Sequence, residues 1–192
     1  MQISEKMREV LQEVKNELAR NDFASAFDTV YEIAAEEDDF NLVSDFIDVL
    51  IQCEVDVLSE FEKLGSVPGN AFYNGFAPRE YIQFGNDVVQ DRVLTFPDSI
   101  KTLDIEAFES AVMPRVADVR GIYVGRFALG FNRITAIIID ENTQLEEDSL
   151  SQCTELTTVY APEGFLDEQK IKNDMVTANP FCKEEEIEIV RY

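Results

Sequence analysis

The sequence contains no histidine. That removes Ser-His-Asp and Cys-His catalysis, imidazole ligation of metals and the usual general base near neutral pH. Basic residues are scarce as well: 16 Lys and Arg stand against 39 Asp and Glu, a net charge of −23. A chain this acidic is repelled by phosphate backbones and anionic lipid, so direct binding of nucleic acid or a membrane is disfavoured. A protein partner with a basic surface is favoured instead, and solubility alone is the plainer reading of the same charge. Cysteine is sparse: Cys53, Cys153 and Cys182 are odd in number, far apart and form no Cys-x-x-Cys pair. Such spacing suits reduced thiols and provides no four-ligand zinc site. No run approaches the ~20 apolar residues of a membrane span, and residues 1–20 lack the apolar core of a secretion signal. The expected location is therefore cytoplasmic. Phosphate-binding glycine loops are missing too, since neither Gly69/Gly75 nor Gly121/Gly125 is followed by Lys-Ser/Thr. Carboxylates are so numerous that no acid pair stands out, and Glu184-Glu185-Glu186 reads as a solvated face. No catalytic residue, cofactor or metal ligand is assigned.

What is present is unevenly distributed. Residues 1–64 carry 17 acids and 5 bases, residues 65–140 carry 9 and 7, and residues 141–192 carry 13 and 4. The first part has helical periodicity. Ile3, Met7, Val10, Leu11, Val14 and Leu18 share one face. Asn21-Asp22 ends that run, and Asp22 suits the N-cap of a second helix carrying Phe23, Phe27, Val30, Tyr31 and Ala34. Glu36-Glu37-Asp38-Asp39 marks an exposed turn. A third helix is predicted from Leu42 through Phe46, Leu50, Cys53, Val57 and Phe61 to Leu64, stopped by Gly65 in a left-handed conformation. About three antiparallel helices over 1–64 thus form an acidic module. Residues 65–91 mix Gly and Pro with Phe72, Tyr73, Phe76, Tyr81 and Phe84. They read as a packed, irregular junction capping the next domain, with an aromatic ligand patch as the alternative.

From residue 92 a repeat is visible. Ile134-x-x-Ile137-x-Ile139 and Leu156-x-x-Val159-x-Ala161 share one spacing, with Val116-x-x-Val119-x-Gly121 a weaker copy and Leu94-x-Phe96 a truncated one. Upstream anchors recur as Ala107-Phe108, Phe127-Ala128 and Ser149-Leu150, then Ala111, Phe131 and Cys153. In a solenoid each coil buries a strand face and a returning face against its neighbours.

The segment from Leu145 through Leu150, Cys153, Leu156 and Val159 to Pro162 resembles the BspA-like leucine-rich-repeat family, whose repeats run approximately I-x-x-I-G-x-x-A-F-x-G-C-x-x-L-x-x-V-x-I-P. Pro97-Asp98-Ser99-Ile100 with Ala107-Phe108 looks like the family's P-D-S-V…A-F start, and Val159 to Gly164 followed by Asp167–Lys172 looks like its closing segment. The resemblance covers residues 92–192, with departures at Met113-Pro114 and Gly121. It implies a buried, unreactive Cys153, a last edge strand at Ile187, Ile189 and Val190, and binding of other macromolecules.

The expected fold class is therefore α+β, with an N-terminal helical module of about three helices (1–64), a junction (65–91) and a leucine-rich-repeat solenoid with short parallel strands (92–192). The expected function is a non-enzymatic protein–protein interaction module. An acidic nucleic-acid-mimicking inhibitor of the phage type is the alternative, and a carboxylate-based enzyme the third reading. Candidate partner-binding residues are Glu36, Glu37, Asp38 and Asp39 in the acidic turn and Arg115, Arg120, Arg126 and Arg133 in the repeats. The arginines either pair with acids of adjacent coils or form a patch for an acidic partner or for self-association.

Overall fold

The computed structural model describes residues 4–165 and 167–192. Ile3, assigned from sequence to the first apolar face, lies outside them. Five helices precede Gly65: α1 (Glu5–Glu13), α2 (Lys15–Ala19), α3 (Phe23–Glu37), α4 (Asn41–Gln52) and α5 (Val57–Leu64). Met7, Val10 and Val14 are buried on one side, but the backbone leaves helical geometry at Val14 (φ −87, ψ 8) and splits that run into α1 and α2. The predicted third helix also divides in two. Glu54 adopts φ 62, and the Asp56 side chain accepts hydrogen bonds from the Ser59 backbone N–H (3.2 Å) and hydroxyl (2.7 Å), which starts α5 afresh. Asp22 caps α3 in the same way, accepting from the Ser25 N–H at 3.2 Å. Gly65 ends α5 at φ 74, a conformation only glycine adopts without strain.

The strands are short: β1 (Ser66–Val67), β2 (Ile82–Phe84), β3 (Arg92–Leu94), β4 (Thr102–Leu103), β5 (Val116–Asp118), β6 (Tyr123–Val124), β7 (Ala136–Ile138), β8 (Gln144–Leu145), β9 (Thr158–Ala161) and β10 (Glu188–Arg191). One helix, α6 (Glu168–Ala178), lies between the last two. From β3 to β9 the chain alternates between two sheets, and β10 then joins β9 in the same one. One is four-stranded and parallel in the order β1-β4-β6-β8, and the other six-stranded in the order β10-β9-β7-β5-β3-β2. The larger sheet is mixed because β2 runs antiparallel to β3, pairing Ile82 with Leu94.

The expected architecture, a helical module followed by a leucine-rich-repeat solenoid, is thereby corrected. Among the described residues the protein is an α+β fold of six α-helices and two sheets, one parallel and one mixed. Residues 65–91 are mostly turns and bends, and they also supply β1 to one sheet and the antiparallel edge strand β2 to the other. The larger hydrophobic core runs from Met7 to Ile187. Rings carry it from helices to strands: Phe27–Phe61 (centroids 5.4 Å apart), Phe61–Phe72 (6.1 Å) and Phe72–Phe108 (4.9 Å). The physical reason is that an apolar repeat reports only how often the chain returns to the same face. It is silent on what packs beside that face.

Two alignments within the repeat also shift. Val116 pairs with Ala136, not Ile134, and Ala136 with Thr158, so the sequence alignment of the weak copy is two residues out of register. Upstream, Phe108 N–H donates to Ala128 O and Leu129 N–H to Ser149 O. Phe108, Leu129 and Leu150 are therefore the equivalent buried residues, while Phe127 and Phe131 take positive φ (55 and 56) at the turn. The interior counterpart of Cys153 is Asn132. Its side-chain amide donates to Phe108 O (2.8 Å), Leu129 O (3.0 Å) and Gly130 O (3.1 Å), while Cys153 Sγ–H donates to Leu129 O (3.1 Å). Buried side-chain donors thus add to the backbone bonds that Phe108 O accepts from Ala111 N–H and Gly130 O from Ser110 N–H, and both Asn132 and Cys153 reach Leu129 O.

The far face of the larger sheet carries a smaller apolar group of Val89, Val93, Val116, Ala136 and Ile138. Among the described residues, no helix is long and apolar enough to cross a membrane.

Candidate functional site

The four candidate arginines are all engaged within the chain. Arg120 is held between Asp118 (2.6 Å) and Asp87 (3.0 Å) and lies 5.8 Å from the Tyr192 ring centroid. The two carboxylates raise its pKa above the ordinary arginine value. Its role is to pin the loop before β3 and the last residue against β5. Arg115 and Arg133 converge on Glu155, at 3.1 and 2.9 Å, and hold its carboxyl below its ordinary value, Arg133 contributing more. Arg126 pairs with Asp148 (3.4 Å) and covers the Phe127 ring at 4.9 Å. These contacts stitch one turn of chain to the next. The structure does not gather the arginines into one unpaired patch.

The acidic turn differs. Glu36 and Glu37 close α3, Asp38 takes the left-handed cap position (φ 54), and all four residues through Asp39 are exposed. Lys6 supplies the cation at this end of the cleft, 2.7 Å from Glu37 and 3.7 Å from Glu9. Glu9, Glu13, Glu32, Glu36 and Glu37 share a shallow cleft between α1 and α3, with Val10 and Ile33 at its base. The i, i+4 recurrence of acids on both helices puts them on one face.

A second concavity, which sequence reasoning missed, is a groove of about 510 Å³ between α4, the start of α5 and residues 71–80. Its floor is apolar: Ile47, Val57 and Phe72 are buried, and Val55 and Leu58 half-buried. Two bulky residues stand open to solvent at its margin, Ile51 at 51% and Phe76 at 74% exposure. Asp45, Asp48, Asp56 and Glu80 complete the lining, which includes no Lys or Arg among the described residues. Partial burial raises the pKa values of Asp45 and Asp48 above their ordinary value, with Asp39 adding to the first and Asp45 to the second. The Asn74 side-chain amide donates to Asn41 Oδ1 (3.3 Å) across one end.

From sequence, Phe76 counts as one more packed aromatic of the junction. The signal that could have separated it is local: Asn74 at φ 52 and Gly75 turn the chain so that Phe72 faces the core and Phe76 does not. Asp45 and Asp48 are three residues apart on a helix whose next exposed position in that series is Ile51, an acidic stripe ending in an unexplained apolar residue.

The fold and these two concavities define an acidic α+β protein with a two-sheet core and a helical face that is open and rich in carboxylate. No family model, curated protein or solved structure matches the chain.

Proposed function

We propose that this protein is a non-enzymatic protein–protein interaction module that holds a basic partner surface against its acidic helical part. The observation carrying this reading is the asymmetry of pairing. Arg115, Arg120, Arg126 and Arg133 are neutralised by carboxylates of the same chain, whereas Glu36, Asp38 and Asp39 present their charge to solvent. A surface of one sign steers an oppositely charged partner and speeds its association.

The acidic-mimic reading is favoured by a different feature. Glu9, Glu13, Glu32 and Glu36 recur at one-turn spacing on two neighbouring helices, a regular array of negative charge of the kind a nucleic-acid-binding groove accepts. Salt separates the two. A mimic loses affinity steeply with ionic strength, whereas an interface with apolar contacts loses less.

The test is capture of partners from a cell lysate by the wild type and by the quadruple variant Glu36→Lys, Glu37→Lys, Asp38→Lys, Asp39→Lys. Proteins held by the wild type should be lost from the variant, mainly through slower association. Unchanged capture by the variant, with loss on Arg120→Ala or Arg126→Ala, would place the contact on the strand-rich part and end the proposal.

A further inference from the structure

The groove between α4 and residues 71–80 is a separate concavity from the acidic cleft and calls for a different kind of contact. Three features define what it accepts. Its floor and margin are apolar, with Ile51 and Phe76 exposed where a soluble surface would ordinarily carry polar groups. Its rim carries Asp45, Asp48, Asp56 and Glu80 and, among the described residues, no Lys or Arg. Its loop wall is tied down by the chain's own backbone: Gly75 N–H donates to Phe72 O, Asn74 N–H to Glu109 O, Val112 N–H to Gly75 O and Ala77 N–H to Val112 O. A wall fixed in this way presents its side chains, Phe76 foremost, to an occupant.

The geometry points to this groove as the docking site for an amphipathic helix of a basic partner protein, its apolar side chains set over Ile51, Phe76 and the floor and its Lys or Arg residues facing the acidic rim. Charge complementarity selects this occupant. Cations beside Asp45 and Asp48 would offset the partial burial and the neighbouring charge, Asp39 for the first and Asp45 for the second, that lift their carboxyl groups. An acidic or neutral helix would leave the same carboxylates uncompensated. The inference deepens the proposed function by naming the partner's recognition element and depends on that reading.

The probe is a fluorescent peptide of about 18 residues containing only Leu and Lys, with Leu at the 3–4 spacing of one helical face. A scrambled peptide of identical composition is the control. The expected result is that the wild type binds the patterned peptide about tenfold more tightly than the scrambled one. Phe76→Ser and Ile51→Ala, which alter exposed side chains and leave every charge in place, should each weaken it about tenfold, with circular dichroism unchanged. Equal binding of both peptides, indifference to both substitutions, or no binding to the wild type at millimolar concentration would each overturn the groove assignment. A wild-type dimer that Phe76→Ser dissociates would overturn it too, by showing a second copy as the occupant. Failure of the functional reading is recognised separately, as lysate capture indifferent to charge reversal at residues 36–39. If the peptide is insensitive to Phe76→Ser while lysate capture still needs the acidic turn, the groove proposal alone falls.

Discussion

Two side chains show how burial sets chemistry at the level of a single residue. Cys153 is fully buried, and burial pushes its thiol pKa up to about 12, so the reactive thiolate is scarce near neutral pH. Labelling of the folded protein by a thiol reagent should therefore proceed at Cys53, which is exposed, and leave Cys153 intact until unfolding. Mass spectrometry of the modified peptides checks this. Cys153→Asp should cost on the order of 3 kcal/mol or more in a denaturant titration, because an unpaired carboxylate would replace a satisfied donor in the core. Glu109 is the second case. Burial, with help from Glu106, raises its carboxyl pKa to about 7 from an ordinary 4.5. The folded state thus keeps a proton that the unfolded chain has released between those values. Its contribution to stability is fully present below the unfolded value and lost as pH rises through about 7. Glu109→Gln should shrink the fall in melting temperature between about pH 5.5 and pH 8, leaving the remainder to the other acids. An unchanged pH profile would mean that Glu109 ionises normally in the fold.

Among the elements, stability depends on where neighbouring turns of chain touch. Gly125 donates its N–H to Leu103 O at 2.8 Å, and a Cβ built there would meet the same oxygen at 2.8 Å. Backbone rather than a flexible side chain is in the way, so Gly125→Ala must push β4 and the following turn apart, at roughly 1–3 kcal/mol. Gly121 is a useful contrast: it holds φ 69, yet nothing lies within 4 Å of its Cβ position. Gly121→Ala should cost only the left-handed strain, about 1 kcal/mol. Thermal melts of the two variants should rank Gly125→Ala as the less stable, and the reverse order would make backbone conformation, not close approach, the dominant constraint. The one- and two-residue slips in reading the repeat have an origin at this level. Phe127 and Phe131 are large and apolar, but positive φ turns them outward, and hydrophobicity alone assigns them to the core.

For the molecule as a whole, the dominant quantity is the net charge of −23. Like charges at this density oppose the compact state, and their repulsion is screened over roughly 10 Å at 0.1 M salt. Raising NaCl from about 0.05 to 0.5 M should therefore raise the melting temperature, and the quadruple Lys variant at residues 36–39 should gain less from the same addition. A melting temperature that falls with salt would mean that ion pairs such as Arg120 with Asp87 and Asp118 outweigh the repulsion. The proposed function rests at this scale on two unlike surfaces, the acidic cleft between α1 and α3 and the apolar groove beside α4. In that reading the cleft would speed a salt-sensitive association and the groove would slow dissociation.

The 3–4 spacing of apolar residues by itself marked helices before Gly65, since that spacing buries one face only in a helix. Local signals also sufficed for the cap at Asp22 and the stop at Gly65, where one side chain or one permissive backbone decides the outcome. The recurrence of short strands after residue 92 was legible in the repeated spacing of apolar residues, though the two sheets they join were not. Other features are non-local. The breaks at Val14 and Glu54, the recruitment of β1 and β2, and the continuity of the core through Phe27, Phe61, Phe72 and Phe108 depend on contacts between residues far apart in sequence. The arginines needed the fold as well, because their carboxylate partners are 22 to 40 residues away for Arg115, Arg126 and Arg133, and for Arg120 both 2 and 33 away. The groove was decided by tertiary structure alone. Ile51 and Phe76 are ordinary apolar residues in the sequence, and they become a surface only because packing spends Ile47 and Phe72 on the core and leaves their neighbours outside it.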